Sequence, residues 1–322
     1  MRALIRDGSA LRLETTRPEP AVMDGDVRVR PRLALVSGLE TDVAHGVGGF
    51  EGIVGSAAVA TVDAPDHALH AQRVAIDPVT WCGECDLCLG GLREHCRHGT
   101  IMGRFARDGV LAESCAVPED NLLPVPDDLD DDRAVFAPLV AAAAQTRRTL
   151  AIEGKPYITV LGDGPLGLLT AQVLHPLNAS VRIIGRYSEK LALAERWGIR
   201  HRHVDDVGRR GDQDIVVDCT GSPSGFSTAL GLVRPRGTIV LKSMWRTDEV
   251  AAAPIDGAAL VGREVRVLGS SGGAIAEALH LLRTEAVDVL PLISRRLRLD
   301  DGPAIIDQHA RSGALATTVA IG

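Results

Sequence analysis

Cys82, Cys85, Cys88 and Cys96 stand in the spacing C-x2-C-x2-C-x7-C, a density of thiols that suits metal binding. The first stretch, MRALIRDGSALRLE, has no apolar segment of the kind that directs secretion, so a cytoplasmic, reducing location is expected. In that setting thiolates are metal ligands, and four of them match the closed tetrahedral geometry of structural zinc. The first three spacings also open a bacterial iron–sulfur run. That run wants its fourth cysteine after about three residues with proline following, whereas seven residues intervene here and Arg97 follows. An empty or oxidised loop is the remaining alternative. One structural Zn2+ per chain is the expectation, and a closed four-thiolate site leaves no position for substrate, so the cluster staples a loop and does not catalyse. Cys115, in AESCAV, and Cys219, in IVVDCTG, fall in apolar strands and read as buried small hydrophobes.

The second constellation is Gly162-Asp163-Gly164-Pro165-Leu166-Gly167, a G-x-G-x-x-G directly after the apolar run Ile158 to Leu161. Gly162 permits a tight turn, Gly164 lets a pyrophosphate approach the backbone, and Gly167 lets the following helix, whose N-terminus faces the anion, pack against the sheet. Pro165 and Leu166 complete the cofactor-binding turn, and Thr220, after a later strand, is placed with them. The next strand ends in Ile184-Gly185-Arg186-Tyr187-Ser188-Glu189-Lys190, without the acidic residue that holds a ribose 2′-hydroxyl. Gly185 is expected to make room for a 2′-phosphate and Arg186, with Lys190, to neutralise it, so NADPH is expected in preference to NADH. The competing reading makes Arg186 a surface charge that stacks on adenine without discriminating.

These residues need elements to hold them. Before residue 150, short runs such as Val27 to Val36 and Glu113 to Val117 are punctuated by Gly, Pro and Asp, which predicts a many-stranded β region. Beyond it, strands and helices alternate. Strands are predicted at Ile158 to Leu161, Val181 to Ile184, Ile215 to Cys219, Thr238 to Leu241 and Val265 to Gly269, with helices at Leu166 to Leu174, Ser188 to Trp197 and Gly225 to Val233. That order predicts a doubly wound parallel sheet.

Composition narrows the function. The 322 residues suffice for two domains, and 45% apolar with 24% charged residues is globular usage. No apolar run reaches the length of about 18 residues that a membrane span needs, and a net charge of -7 with 3% aromatics disfavours a phosphate-tracking, base-stacking surface. A small-molecule substrate is expected, with neither nucleic acid nor membrane as partner.

Together, Cys82 to Cys96, AESCAVPEDNLLPVPDDL at 112 to 129, LGDGPLGLLTAQVL at 161 to 174, DIVVDCTGSP at 214 to 223 and RPRGTIVL at 234 to 241 cover almost the whole chain in a specific order. The chain resembles the zinc-type medium-chain alcohol dehydrogenases. The resemblance implies an α/β fold: a GroES-like, β-rich catalytic domain over 1–135 carrying the zinc loop 81–97, a Rossmann domain over 136–271, and a return of 272–322 to the catalytic domain. It also implies a homodimer or homotetramer, with sheet edges paired across subunits near Glu264 to Gly269.

The family's catalytic zinc is where this sequence departs. A typical member opens its site with Cys-Gly-Thr-Asp, and the matching stretch here is Ser37-Gly38-Leu39-Glu40. The usual Gly-His-Glu matches Gly55-Ser56-Ala57, and the usual Cys-Pro-Leu or Glu-Pro-Leu matches Ala137-Pro138-Leu139. An alternative register at Phe50-Glu51 also lacks the histidine. Leu39 further removes the hydroxyl with which family members begin a proton relay. No catalytic Zn2+ is therefore expected. A metal supplies several kcal/mol to a developing alkoxide, so substrates that manage without it are favoured: a C=C conjugated to a carbonyl, or a C=N that already carries positive charge. Ser37, Glu40, Asp42, His45 and Ser56 are the candidates for lining that region. An NADPH-dependent reductase is the first reading; a zinc-independent alcohol dehydrogenase or carbonyl reductase and a non-catalytic nucleotide-binding protein are the alternatives.

Overall fold

The computed structural model describes residues 1–8, 10–150, 152–177, 179–208, 210–245, 255–311 and 313–322. They form two units, Met1–Pro138 with Ile275–Gly322, and Leu139–Ala274. Both boundaries lie three residues beyond the expected 135/136 and 271/272: the chain changes unit within the first turn of the helix Ala137–Thr149 and again directly before the helix Ile275–Arg283. Among the described residues no helix is long and apolar enough to cross a membrane.

The first unit begins with β1 (Ala3–Asp7) and β2 (Ala10–Glu14), which join β4 (Gly52–Ile53) in a small antiparallel sheet. Its main sheet is built on β3 (Asp26–Val36). One side of β3 pairs with β5 (Ala57–Val62), which pairs with β6 (Arg73–Ile76) and through it with β10 (Leu122–Pro124). Along its other side β3 first pairs with β9 (Cys115–Pro118) and then, from Leu33, with a strand from the C-terminal segment. The change of partner falls at Pro31 and Arg32, where proline has no N–H to donate and the register with β5 shifts. A short ribbon, β7 (Ile101–Met102) and β8 (Ala106–Arg107), lies beyond the cysteine loop. Helices α1 (Gly38–Ala44), α2 (Asp86–Leu89) and α3 (Asp131–Ala134) are short.

The second unit starts with α4 (Ala137–Thr149) and holds a six-stranded, all-parallel sheet: β11 (Tyr157–Leu161), β12 (Ser180–Gly185), β13 (Arg200–His203), β14 (Gln213–Asp218), β15 (Val233–Leu241) and β16 (Arg266–Gly269), in the order β13-β12-β11-β14-β15-β16. Helices α5 (Pro165–Leu174), α6 (Ser188–Arg196), α7 (Pro223–Leu232) and α8 (Gly257–Gly262) lie between strands. The central strands are continuous apolar runs because helices cover a parallel sheet on both faces; Ile158, Thr159 and Val160 are fully buried. Sequence reading had no strand at β13, since Arg200-His201-Arg202-His203 has no apolar residue to bury at this edge. Cys219 falls one residue beyond β14 rather than inside it.

The chain returns to the first unit through α9 (Ile275–Arg283), β17 (Ile293–Arg298), α10 (Ala304–Arg311) and β18 (Ala316–Ala320). β18 completes the partner exchange on β3, and β17 pairs parallel with it.

Candidate active site

β3 delivers the chain directly into α1, with Ser37 as the N-cap between them. Ser-x-x-Glu is the pattern of a capping box, and Glu40 accepts from the Ser37 backbone N–H at 2.9 Å. The carboxylate does more than cap the helix. Its Oε2 also accepts from the Ser37 hydroxyl at 2.8 Å, and its Oε1 accepts from the Ser56 hydroxyl at 2.7 Å. All three residues are almost sealed, at 6%, 4% and 5% exposure for Ser37, Glu40 and Ser56. Two serines from the start of α1 and the entry to β5 thus meet on one buried carboxylate. Both hydroxyl protons are committed to Glu40, so toward anything approaching from outside the serines offer lone pairs.

The other two candidates lie further along the same helix. Asp42 is half-buried on α1, and His45, the C-cap of the same helix, is exposed. A hollow of about 920 Å3 on this unit does not include the cluster either; it contains the ion-paired Arg32, Arg73 and Asp131. Sequence reading missed one partly buried cation on this unit. Arg104 sits in the turn between β7 and β8, and Glu40 acts on its charge. Burial pulls the guanidinium below its ordinary pKa while Glu40 opposes that shift.

In the second unit β11 runs into Gly162, at φ +104, and the turn opens onto α5. A Cβ on Gly167 would lie 1.9 Å from the Gly162 carbonyl oxygen, so helix and strand touch through backbone. A Cβ on Gly164 would meet nothing within 4 Å. Gly164 is also the N-cap of α5 and supplies no side chain to the helix's free N–H groups, with Pro165 at the first position. This open, uncapped, ten-residue helix end fits the diphosphate of a dinucleotide.

Gly185 works differently from the expectation that it makes room for a 2′-phosphate. Its empty side is filled by Asp163: a Cβ there would stand 2.4 Å from Asp163 Oδ2. That oxygen accepts the backbone N–H groups of Arg186 and Tyr187, each at 2.7 Å, and pins the turn after β12. The Arg186 side chain is exposed and, among the described residues, has no partner, while Lys190 lies 4.4 Å over the Tyr187 ring. Thr220 is exposed, and its hydroxyl donates to Asp218 at 2.6 Å. Lys242, also missed from sequence, follows β15 and is buried, donating to the Ala142 carbonyl at 2.6 Å and to Ser270 Oγ at 3.0 Å. Burial lowers its pKa to about 8.

In the loop around α2, the sulfurs of Cys82, Cys85, Cys88 and Cys96 all lie within 4.8 Å of one another, with contacts of 3.5 to 4.0 Å. Zinc–sulfur bonds of about 2.3 Å place tetrahedral sulfurs about 3.8 Å apart. Backbone N–H groups of Cys82 and His98 donate to Cys96 Sγ, and that of Cys85 to Cys82 Sγ, as befits thiolates. Amides of Arg97 and Cys88 lower Cys85 to about 6, whereas burial, then its neighbouring sulfurs, push Cys88 up to about 12. Four such sulfurs ionise together only around a cation. Cys115 and Cys219 are pushed up to about 12 by burial and stay as thiols.

Two family models match the chain: the alcohol dehydrogenase GroES-like domain over residues 23–127 and the zinc-binding dehydrogenase domain over residues 165–286. An L-threonine 3-dehydrogenase of Anaeromyxobacter sp. is 24% identical over 327 residues, covering 94% of each chain. A 2-dehydro-3-deoxy-L-galactonate 5-dehydrogenase of Pseudoalteromonas atlantica is 26% identical over 273 residues, 80% of this chain and 73% of its own. Among solved structures, a zinc-binding dehydrogenase from Sinorhizobium meliloti bound to NADP superposes with a TM-score of 0.85 at 26% identity, covering 99% of this chain and 98% of the other. An alcohol dehydrogenase from Thermus sp. ATN1 superposes over the full length of both chains at 0.86 and 23% identity, which speaks to fold.

Proposed function

The chain belongs to the medium-chain dehydrogenase/reductase family of zinc-type alcohol dehydrogenases, and we propose that it is a member that reduces a polarised C=C or C=N bond without a catalytic zinc. Its place among NAD(P)-dependent oxidoreductases sets aside the non-catalytic alternative. One observation carries the zinc-free reading. At two of the positions where the family keeps metal ligands, Ser37 and Ser56 close on Glu40 by hydrogen bonds of 2.8 and 2.7 Å. The third position is Ala137, which offers no ligand atom. Among the described residues, the four-cysteine loop is the group of three or more potential ligands that comes together.

Bound reduced nicotinamide dinucleotide supplies a hydride. Gly162, Gly164 and Gly167 shape its cradle, and the backbone N–H groups at the start of α5 face its diphosphate. Glu40 holds Ser37 and Ser56 in place as acceptors. The test is oxidation of NADPH after treatment with a chelator that removes exchangeable metal. Turnover of an enone or an iminium ion should persist, and Ser37→Ala with Ser56→Ala should cost at most about 10²-fold. Oxidation of simple alcohols that stops on chelation, with no enone or iminium turnover, would reject the reading.

We propose NADPH over NADH on Arg186 beyond β12, whose side chain has no partner among the described residues, with Lys190 nearby. Arg186→Ala is expected to narrow the preference by about 10-fold, the worth of one charge-assisted bond of about 1.4 kcal/mol; equal NADH and NADPH affinities in the unaltered protein would overturn it. We place a structural zinc at the four thiolates. A homodimer, or a tetramer, is proposed through β16, whose four residues are all exposed along a sheet edge. A one-chain sedimentation mass at micromolar concentration would remove that assembly.

A further inference from the structure

The buried carboxylate leaves the site with a charge problem. Reducing a C=C conjugated to a carbonyl builds negative charge on the carbonyl oxygen, and here a carboxylate, Glu40, joins Ser37 and Ser56, two positions where the family keeps metal ligands. Neither serine can donate, because both hydroxyls are directed at Glu40. A donor must come from another element.

We propose that Arg104 is that donor, a catalytic residue binding the substrate oxygen on which charge develops, and that the substrate class is consequently an α,β-unsaturated carbonyl compound rather than an iminium ion; this rests on the zinc-free reading above. Three observations support it. The turn that carries Arg104 is pressed onto the segment that carries Ser56: a Cβ on Gly103 would lie 2.2 Å from the Gly55 carbonyl oxygen, so the neighbours of Arg104 and Ser56 touch through backbone. That turn is closed by hydrogen bonds from the Arg104 and Phe105 amides to Ile101 and from Gly103 to Arg107, which fixes where the side chain starts. The guanidinium is half-buried, and among the described residues no acceptor bonds it, while Glu40 acts on it through charge.

A guanidinium has five N–H donors in a planar fork and stays charged at any physiological pH. Partly desolvated and unpaired, it costs free energy that an anionic oxygen would offset. An iminium ion would bring a second positive charge instead. The reaction balances as follows: the far carbon of the C=C accepts a hydride from the reduced nicotinamide dinucleotide, the π electron pair moves to the carbonyl oxygen beside Arg104, and water protonates the near carbon. One dinucleotide is oxidised for each C=C reduced.

The experiment measures NADPH oxidation by the full chain with 2-cyclohexen-1-one, trans-cinnamaldehyde and N-methyl-3,4-dihydroisoquinolinium. The unaltered protein should reduce an enone or enal and leave the iminium ion untouched. Arg104→Gln should lower kcat by about 10²–10³-fold, the worth of an oxyanion donor, with KM and NADPH affinity unchanged. Free guanidinium ion at millimolar concentration should restore part of the activity of Arg104→Ala, which a merely structural arginine would not permit. Should Arg104→Gln fail to fold, Arg104→Lys takes its place, and its kcat should still fall because a point charge replaces the fork. Reduction of the enone with kcat intact in the folded variant, a loss confined to KM, or reduction of the iminium ion alone would each overturn the assignment while sparing zinc-free reduction. Reduction of none of the three, with alcohol oxidation that a chelator abolishes, would overturn both.

Discussion

Gly167→Ala is expected to destabilise the second unit by about 3 kcal/mol, the upper end of the usual cost of overpacking, and to abolish dinucleotide binding. The new methyl would fall 1.9 Å from the Gly162 carbonyl oxygen, and that neighbour is backbone, so relief requires α5 to move away from β11. Gly164→Ala should fail in the opposite way. Its Cβ meets no protein atom within 4 Å, so the melting midpoint should hold, yet the methyl occupies the open space before the uncapped end of α5. NADPH affinity should drop at least about 10-fold, which is 1.4 kcal/mol. Thermal melts and fluorescence titration of both variants check the pair. Undiminished NADPH binding by Gly164→Ala would mean that the diphosphate lies elsewhere.

Cys88→Ser is expected to take the zinc content from one per chain to none. Cys88 is the buried member of the four, and its thiolate is the one that most needs a cation, since burial and the neighbouring sulfurs both oppose its ionisation. In isolated zinc fingers a structural site is worth about 10–16 kcal/mol because the whole fold depends on it. Here the loop hangs from a sheet with its own core of residues such as Leu4, Val29, Val36 and Val74, so the damage should stay local. Tryptic cleavage at the exposed Arg93 or Arg97 should accelerate about 100-fold, which requires about 2.8 kcal/mol of lost local protection. NADPH binding by the second unit should survive. A full complement of zinc in the variant would show that these thiolates do not hold the metal.

The parts legible in the sequence were those whose chemistry is local. The run of β11, the glycines and α5 occupies eighteen consecutive positions, 157 to 174, and the predicted strand and helix agree with the observed ends to within one residue. β13 escaped because an edge strand with exposed side chains carries no hydrophobic period. Gly185 was recognised as necessary but credited with the wrong neighbour: the demand for space comes from Asp163, whose carboxylate arrives from the preceding turn in the nucleotide motif itself. Thr220 follows β14 and is exposed there, its hydroxyl donating to Asp218 two residues away, a contact between near neighbours in the chain.

By itself the sequence determined that four thiols converge and that a dinucleotide turn exists, because short spacings leave the chain little freedom to do otherwise. It also puts serine, serine and alanine at the positions read against the family's metal ligands, which is a matter of residue identity alone. Only the tertiary structure decided what fills their place. Ser56 reaches Glu40 across sixteen positions, Lys242 reaches Ala142 across one hundred, and the turn that carries Arg104 meets the segment that carries Ser56. The first depends on the register of β3 with β5 and the last on the backbone contact of Gly103 with Gly55, and neither leaves a signature in the order of residues. Spacing constrains neighbours in the chain, whereas a buried charge is satisfied by neighbours in space.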